Sequence, residues 1–151
     1  MKNKILIIIL LLIVVITFFY INGRKNNISV DSKDSPKTVE TKPADNIEVI
    51  HFHATNQCYS CITVGKLAKK TIEEKFTKEN KSGKIIFKSI NIDLAQNTYL
   101  VNKYQVRGSS LFINSIIDNK HFFKEDVTVW RLLNNEPQFI DYLEKEIKKL
   151  L

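Results

Sequence analysis

Cysteine is scarce: the 151 residues hold two, Cys58 and Cys61. Any bridge within the chain must join that pair. It would close almost no loop and so constrain the unfolded chain very little, which argues against a purely stabilising disulfide. Ile62 rather than histidine follows Cys61, which argues against covalent haem attachment. With His53 the two thiols make three visible metal ligands, one short of a closed tetrahedral site. No cysteine lies in the amino-terminal apolar run to carry a lipid, and no small-x-small cleavage signal follows that run. No internal repeat is visible. Acidic residues are outnumbered, 16 against 23 lysines and arginines, for a net charge of +7. Over residues 47–151 the figures are 12 and 16, too mild and too dispersed an excess to argue for nucleic acid. Lys66, Lys69, Lys70, Lys75, Lys78, Lys81 and Lys84 read instead as the solvated flank of a helix, with anionic lipid headgroups as the other attraction.

What is present falls into three parts. Residues 1–21 hold Lys2 and Lys4 and then Ile5–Ile21, an apolar run without a charge. As a helix it would measure ~25 Å, near the lower limit for crossing a bilayer. A cleaved secretory signal is the competing reading. The length of the run and the missing cleavage site favour an uncleaved single-pass anchor, with the domain outside the cytoplasm. Residues 22–46 are polar, carry Pro36 and Pro43, and lack an apolar period. They read as a flexible tether with a reach of ~25–30 Å.

From residue 47 to 151 the pattern alternates between period 2 and period 3.6. Ile47–His53 reads as a strand, with Ile47 and Val49 on one face and Ile50 and Phe52 on the other. A helix is expected from Cys58 to about Thr77, with Val64, Leu67, Ala68, Ile72 and Phe76 on one stripe. Thr55 and Asn56 are its candidate N-caps, and Tyr59 and Ser60 fill its first turn. Lys84–Asp93 reads as a second strand, parallel to the first. A short helix over Asn97–Tyr104 follows. Ser110–Ile117 and Lys120–Lys124 then form a hairpin turning at Asp118-Asn119. The chain ends in an amphipathic helix carrying Phe139, Ile140, Leu143, Ile147, Leu150 and Leu151, with Pro137 in its first turn. The order is βαβαββα, an α/β domain.

The dithiol lies where the first strand gives way to the first helix. Unpaired N–H groups and the helix dipole favour negative charge there, so a thiol in the first turn loses its proton more readily than a free cysteine. Cys58 is therefore the expected attacking thiolate, and Cys61, one turn along, the resolving thiol. His51 and His53 alternate onto one strand face. His53 is the candidate proton acceptor for Cys61, or a metal ligand beside Cys58 and Cys61. Packing against helix ends is the plainer role for both histidines. Trp130 and Tyr104 are expected to pack, and His121, next to the turn, to be exposed.

The strand, CxxC and helix, followed by Ile90-Asn91-Ile92-Asp93 and Lys103-Tyr104-Gln105-Val106-Arg107-Gly108, resemble the thioredoxin superfamily. The resemblance covers residues 47–151. It implies a central mixed four-stranded sheet with flanking helices, a redox-active disulfide in place of a dissolved cofactor, and thiol or disulfide partner proteins. More narrowly, His53 together with Val129-Trp130-Arg131-Leu132, Phe139-Ile140-Asp141-Tyr142 and Glu146-Ile147 is similar to the nitrophenyl compound nitroreductase subunit ArsF family. That similarity implies an association with nitroaromatic reduction. Three departures from thioredoxin stand out. Tyr-Ser replaces Gly-Pro between the cysteines. The acid that thioredoxins bury beneath the cysteines matches Phe52. Their cis-proline matches Ser110, in the loop Gly108-Ser109-Ser110 that the resemblance assigns to substrate handling. A cis bond before a non-proline residue costs ~3–4 kcal/mol, so the Ser109–Ser110 bond is expected to be trans. The expected activity is thiol–disulfide exchange by a membrane-tethered monomer, with a membrane thiol carrier as the electron partner. A metal- or cluster-binding protein and a non-catalytic binding module are the other classes.

Overall fold

The computed structural model describes residues 42–151. The expected anchor and most of the tether lie outside the described residues. Among the described residues no helix is long and apolar enough to cross a membrane. Strand β1, Asn46–His53, is central, and α1, Tyr59–Lys75, follows it. Then come α2 (Thr77–Lys81), β2 (Ile85–Asn91), α3 (Thr98–Tyr104), β3 (Ser110–Ile117), β4 (Lys120–Glu125) and α4 (Glu136–Lys148). The sheet order is β2-β1-β3-β4. β2 runs parallel to β1, as a strand–helix–strand crossover requires, while β3 and β4 are antiparallel to their neighbours.

Two apolar cores follow from the alternation along β1. Ile47 and Val49 face Val64, Leu67, Ala68 and Ile72 of α1 and Phe139, Leu143 and Ile147 of α4, all buried. Each such Val, Leu, Ile or Phe side chain taken out of water contributes about 1.5–3 kcal/mol before entropy is set against it. On the opposite face Ile50 and Phe52 pack with Ile90, Tyr104 and Phe112. Tyr104 lies edge-on to Phe112 and tilted against Phe52, and Trp130 packs against the first core, so both serve as packing residues. The α1 lysines are ion-paired as well as solvated: Lys69 with Glu73, and Lys70 with Glu74 and with Glu136 at the start of α4.

Several boundaries differ from expectation for local reasons. The first helix breaks at Phe76 (φ −129°, ψ 39°), whose buried ring serves the core while its backbone leaves the helix. Thr77–Lys81 is then a separate turn. The second strand is shorter than Lys84–Asp93, because Asn91 and Asp93 are turned into hydrogen bonds beyond the sheet. A 3₁₀ turn at Ala95–Asn97 precedes α3, and another at Thr128–Arg131 precedes α4. β3 spans its expected residues, and β4 runs one residue further than expected. Asp118 and Asn119, with φ of 50° and 62°, make the tight turn in the left-handed conformation that their short polar side chains tolerate. Asn135 caps α4 through Gln138 N–H at 3.2 Å, and Pro137 sits in the first turn, where no backbone donor is needed.

Candidate active site

The helix bearing the dithiol is capped by the dithiol itself. Cys58 is the N-cap of α1, in extended conformation, and its Sγ accepts the Cys61 N–H at 3.3 Å. Thr55 and Asn56 do not cap it. The Thr55 N–H is donated to the Asp93 carboxylate at 2.7 Å, and the Thr55 hydroxyl accepts from Asn91 Nδ2 at 3.0 Å. Asn91 also accepts the Asp93 N–H at 2.9 Å. These bonds tie the loop before the cysteines to the end of β2. The Thr55 backbone and hydroxyl hold the Asp93 carboxyl below its ordinary range.

Cys58 and Cys61 are joined as a disulfide, with Cα atoms 5.2 Å apart. Cys58 is exposed and Cys61 half-buried, so an incoming partner meets Cys58 first. Tyr59 and Ile62 flank the pair and are exposed, Tyr59 at 83%. Once reduced, a Cys58 thiolate would retain the Cys61 N–H as a charge-assisted donor at the positive end of the helix. That is the electrostatic arrangement of a reactive thiol.

The two histidines share a face as the alternation requires, their rings stacked at 5.4 Å. Their surroundings differ. His53 is half-buried, with Nδ1 2.9 Å from the Ala54 carbonyl oxygen. His51 is 3% exposed and lies beneath α1. A Cβ at Gly65 would fall 2.7 Å from its Cε1 and closer still to Nδ1, so α1 approaches the imidazole here only because residue 65 has no side chain. On its other side, His51 Nε2 is 3.4 Å from Ser109 Oγ. Burial, reinforced by His53, lowers the His51 pKa to about 4, while the Cys61 backbone acts weakly the other way. Phe52, which matches the thioredoxin acid by position, points into the opposite core. The side chain beneath the cysteine-bearing helix is therefore His51. Sequence reasoning gave it the lesser role, and the signal that marks it is Gly65, an isolated glycine inside a helical pattern one turn beyond Cys61.

Ser109 and Ser110 close the site from the β3 side, and the bond between them is trans, as expected. The Ser110 hydroxyl is donated to the Gly108 carbonyl at 3.3 Å. A hollow of about 330 Å³ opens along this loop, lined by Arg107, Gly108, Ser109, Ser110, Phe112 and Glu125. A larger one of about 470 Å³ lies between β4 and α4, and neither cysteine nor a histidine lines it. Among the described residues no three His, Cys, Asp or Glu side chains gather closely enough to hold a metal ion. His121 is exposed, as expected, and also bonds the Asn114 amide at 2.9 Å.

No family model and no curated protein matches the chain, so the narrower resemblance to a nitroreductase subunit gains no support. Solved structures do resemble it loosely. The zinc-bound form of human ERp44 is 18% identical over 69% of this chain, with a TM-score of 0.49. The chain spans about a quarter of that protein, 27%. The Trx4 domain of ERdj5 is 11% identical over 72% of this chain and 88% of its own length, TM-score 0.47. The Drosophila melanogaster thioredoxin Deadhead is 20% identical over 67% and 81%, TM-score 0.39. The fold rests on its own topology. A mixed sheet in the order β2-β1-β3-β4 with flanking helices, and a CxxC disulfide where β1 passes into α1, make a thioredoxin-like α/β domain.

Proposed function

We propose that this chain is a thiol–disulfide oxidoreductase, tethered to the membrane by residues 5–21 and working outside the cytoplasm. The observation that carries the reading is the Cys58–Cys61 disulfide, set at the N-cap of α1 with Cys58 exposed. The reduced Cys58 thiolate attacks a partner's disulfide, and one partner sulfur leaves with the electron pair of the broken bond. Cys61 then attacks Cys58 in the mixed disulfide, the second partner sulfur departs, and the Cys58–Cys61 bond re-forms. Two electrons pass from the dithiol to the partner, and the same steps reversed oxidise a partner dithiol. No dissolved cofactor is needed. Electrons are exchanged with another protein, and a membrane thiol carrier suits a domain held near the bilayer.

Trapping tests this reading. Cys61→Ser should accumulate covalent complexes through Cys58 that thiol reductants release, and Cys58→Ser should accumulate none. Faster alkylation of Cys61 than of Cys58 in the reduced protein would reverse the assigned roles.

A further inference from the structure

The hollow of about 470 Å³ between β4 and α4 takes no part in the dithiol site, since neither cysteine lines it. We propose that it binds a small organic cation, an aromatic or alkyl body carrying a protonated amine, with Asp126 as its counter-ion. This site is independent of the exchange reading above and goes beyond it.

Residue size along the hairpin shapes the hollow. Ile113 and Ser115 of β3 line it, and Phe122 of β4 stands opposite Ser115 in register. A serine beside a phenylalanine leaves depth that a second large side chain would fill. Tyr142 and Leu150 line the hollow from the α4 side, and Val127 adds to it from the loop after β4. Phe122 and Val127 are 55% and 61% exposed, so apolar surface is left uncovered here. A cavity of this size, largely apolar with a few polar groups, suits a drug-sized molecule.

Asp126 decides the charge of that molecule. It is 8% exposed and lines the same hollow. Its Oδ1 accepts the Thr128 N–H at 3.0 Å, the Val129 N–H at 3.4 Å and the Tyr142 O–H at 3.2 Å. These bonds hold the start of the turn at Thr128–Arg131, which an asparagine oxygen would do as well without burying a charge. Among the described residues no donor bonds Oδ2, and no lysine or arginine pairs with the carboxylate. The one fully enclosed side-chain polar atom without a partner among them is Asn114 Oδ1, so Asp126 Oδ2 keeps an opening. A buried carboxylate is costly without a positive partner, and an ammonium entering the hollow supplies one. Of the two lysines on the lining, Lys149 is paired with Glu146, and Lys124 is exposed, where water and salt screen it. The rings of Phe122 and Tyr142 also favour a cation over an anion.

The test follows binding by NMR on the full chain in nanodiscs of zwitterionic lipid. The probes share one phenyl body: phenethylamine, protonated at neutral pH, neutral phenethyl alcohol, and anionic hydrocinnamate. The amine should bind roughly tenfold more tightly than the alcohol and shift the resonances of Phe122, Val127 and Tyr142. Asp126→Asn keeps an oxygen for the turn and removes the charge. It should weaken the amine roughly 10- to 100-fold and leave the alcohol within about threefold. Phe122→Ala, at an exposed position, should weaken amine and alcohol alike. Should Asp126→Asn fail to fold, the ratio of amine to alcohol in wild type and in Phe122→Ala still decides. Equal binding of amine and alcohol, or a folded Asp126→Asn that holds the amine as wild type does, would overturn the proposal. Tighter binding of hydrocinnamate would overturn it too, by giving the hollow to Lys124 and Lys149, as would binding of none of the probes.

Discussion

Gly65 and His51 are coupled because a Cβ at residue 65 would collide with the imidazole, and that makes the pair testable without reference to activity. Alanine for glycine inside a helix ordinarily adds about 0.5–1 kcal/mol of stability. Here the added methyl meets the imidazole, and overpacking costs about 1–3 kcal/mol. Gly65→Ala should therefore destabilise the domain in chemical denaturation, and His51→Ala in the same chain should recover most of the loss. A stabilising Gly65→Ala would mean that the ring does not occupy the slot. His51 also sets a pH dependence. Its folded pKa, about 4, lies below its ordinary value of 6.5, so between these values the unfolded chain binds more protons. Its contribution is complete above about pH 6.5 and is lost as pH falls toward 4. In denaturation series over that window His51→Gln should flatten the slope. Strand alternation made it legible that both histidines share a face. It could not say which one α1 covers, because that depends on how closely the helix approaches at residue 65.

Among the elements, the start of α1 is where sequence logic and structure part. Thr55 and Asn56 have the chemistry of caps, yet Thr55 is held by Asp93 and Asn91, leaving Cys58 to cap the helix. Capping preferences are local, whereas the bond from Thr55 to Asp93 spans 38 residues. The hairpin was legible because Asp118 and Asn119 suit positive φ by their own chemistry. The break at Phe76 was not, since its ring obeys the helical stripe. The Thr55 tether predicts that its amide hydrogen exchanges slowly in the native protein and quickly in Asp93→Ala. Because the Asp93 carboxyl is held below its ordinary range, protection should persist through the mildly acidic range and fail only when that carboxyl is protonated. Equal exchange in variant and wild type would show that the loop is held by other bonds.

For the molecule as a whole, the period-2 and period-3.6 segments were enough to give βαβαββα, except that the first helix is split in two at Phe76. The two 3₁₀ turns escaped notice, being too short to show a period. The dithiol was legible from spacing alone, and the side chain buried beneath its helix was not. The uncharged Ile5–Ile21 run predicts that the mature chain stays with membranes through alkaline washing, its domain open to external protease. A soluble product beginning near Asn22 would identify the run as a cleaved signal. The central claim is that Cys58 and Cys61 cycle between dithiol and disulfide. It is tested most directly by equilibrating anaerobically prepared protein with glutathione or dithiothreitol while measuring metal per chain. The account predicts a reversible two-electron transition, abolished by loss of either cysteine, with negligible metal. Stoichiometric metal that is lost in Cys58→Ser or His53→Ala, together with no exchange with the redox buffer, would contradict it.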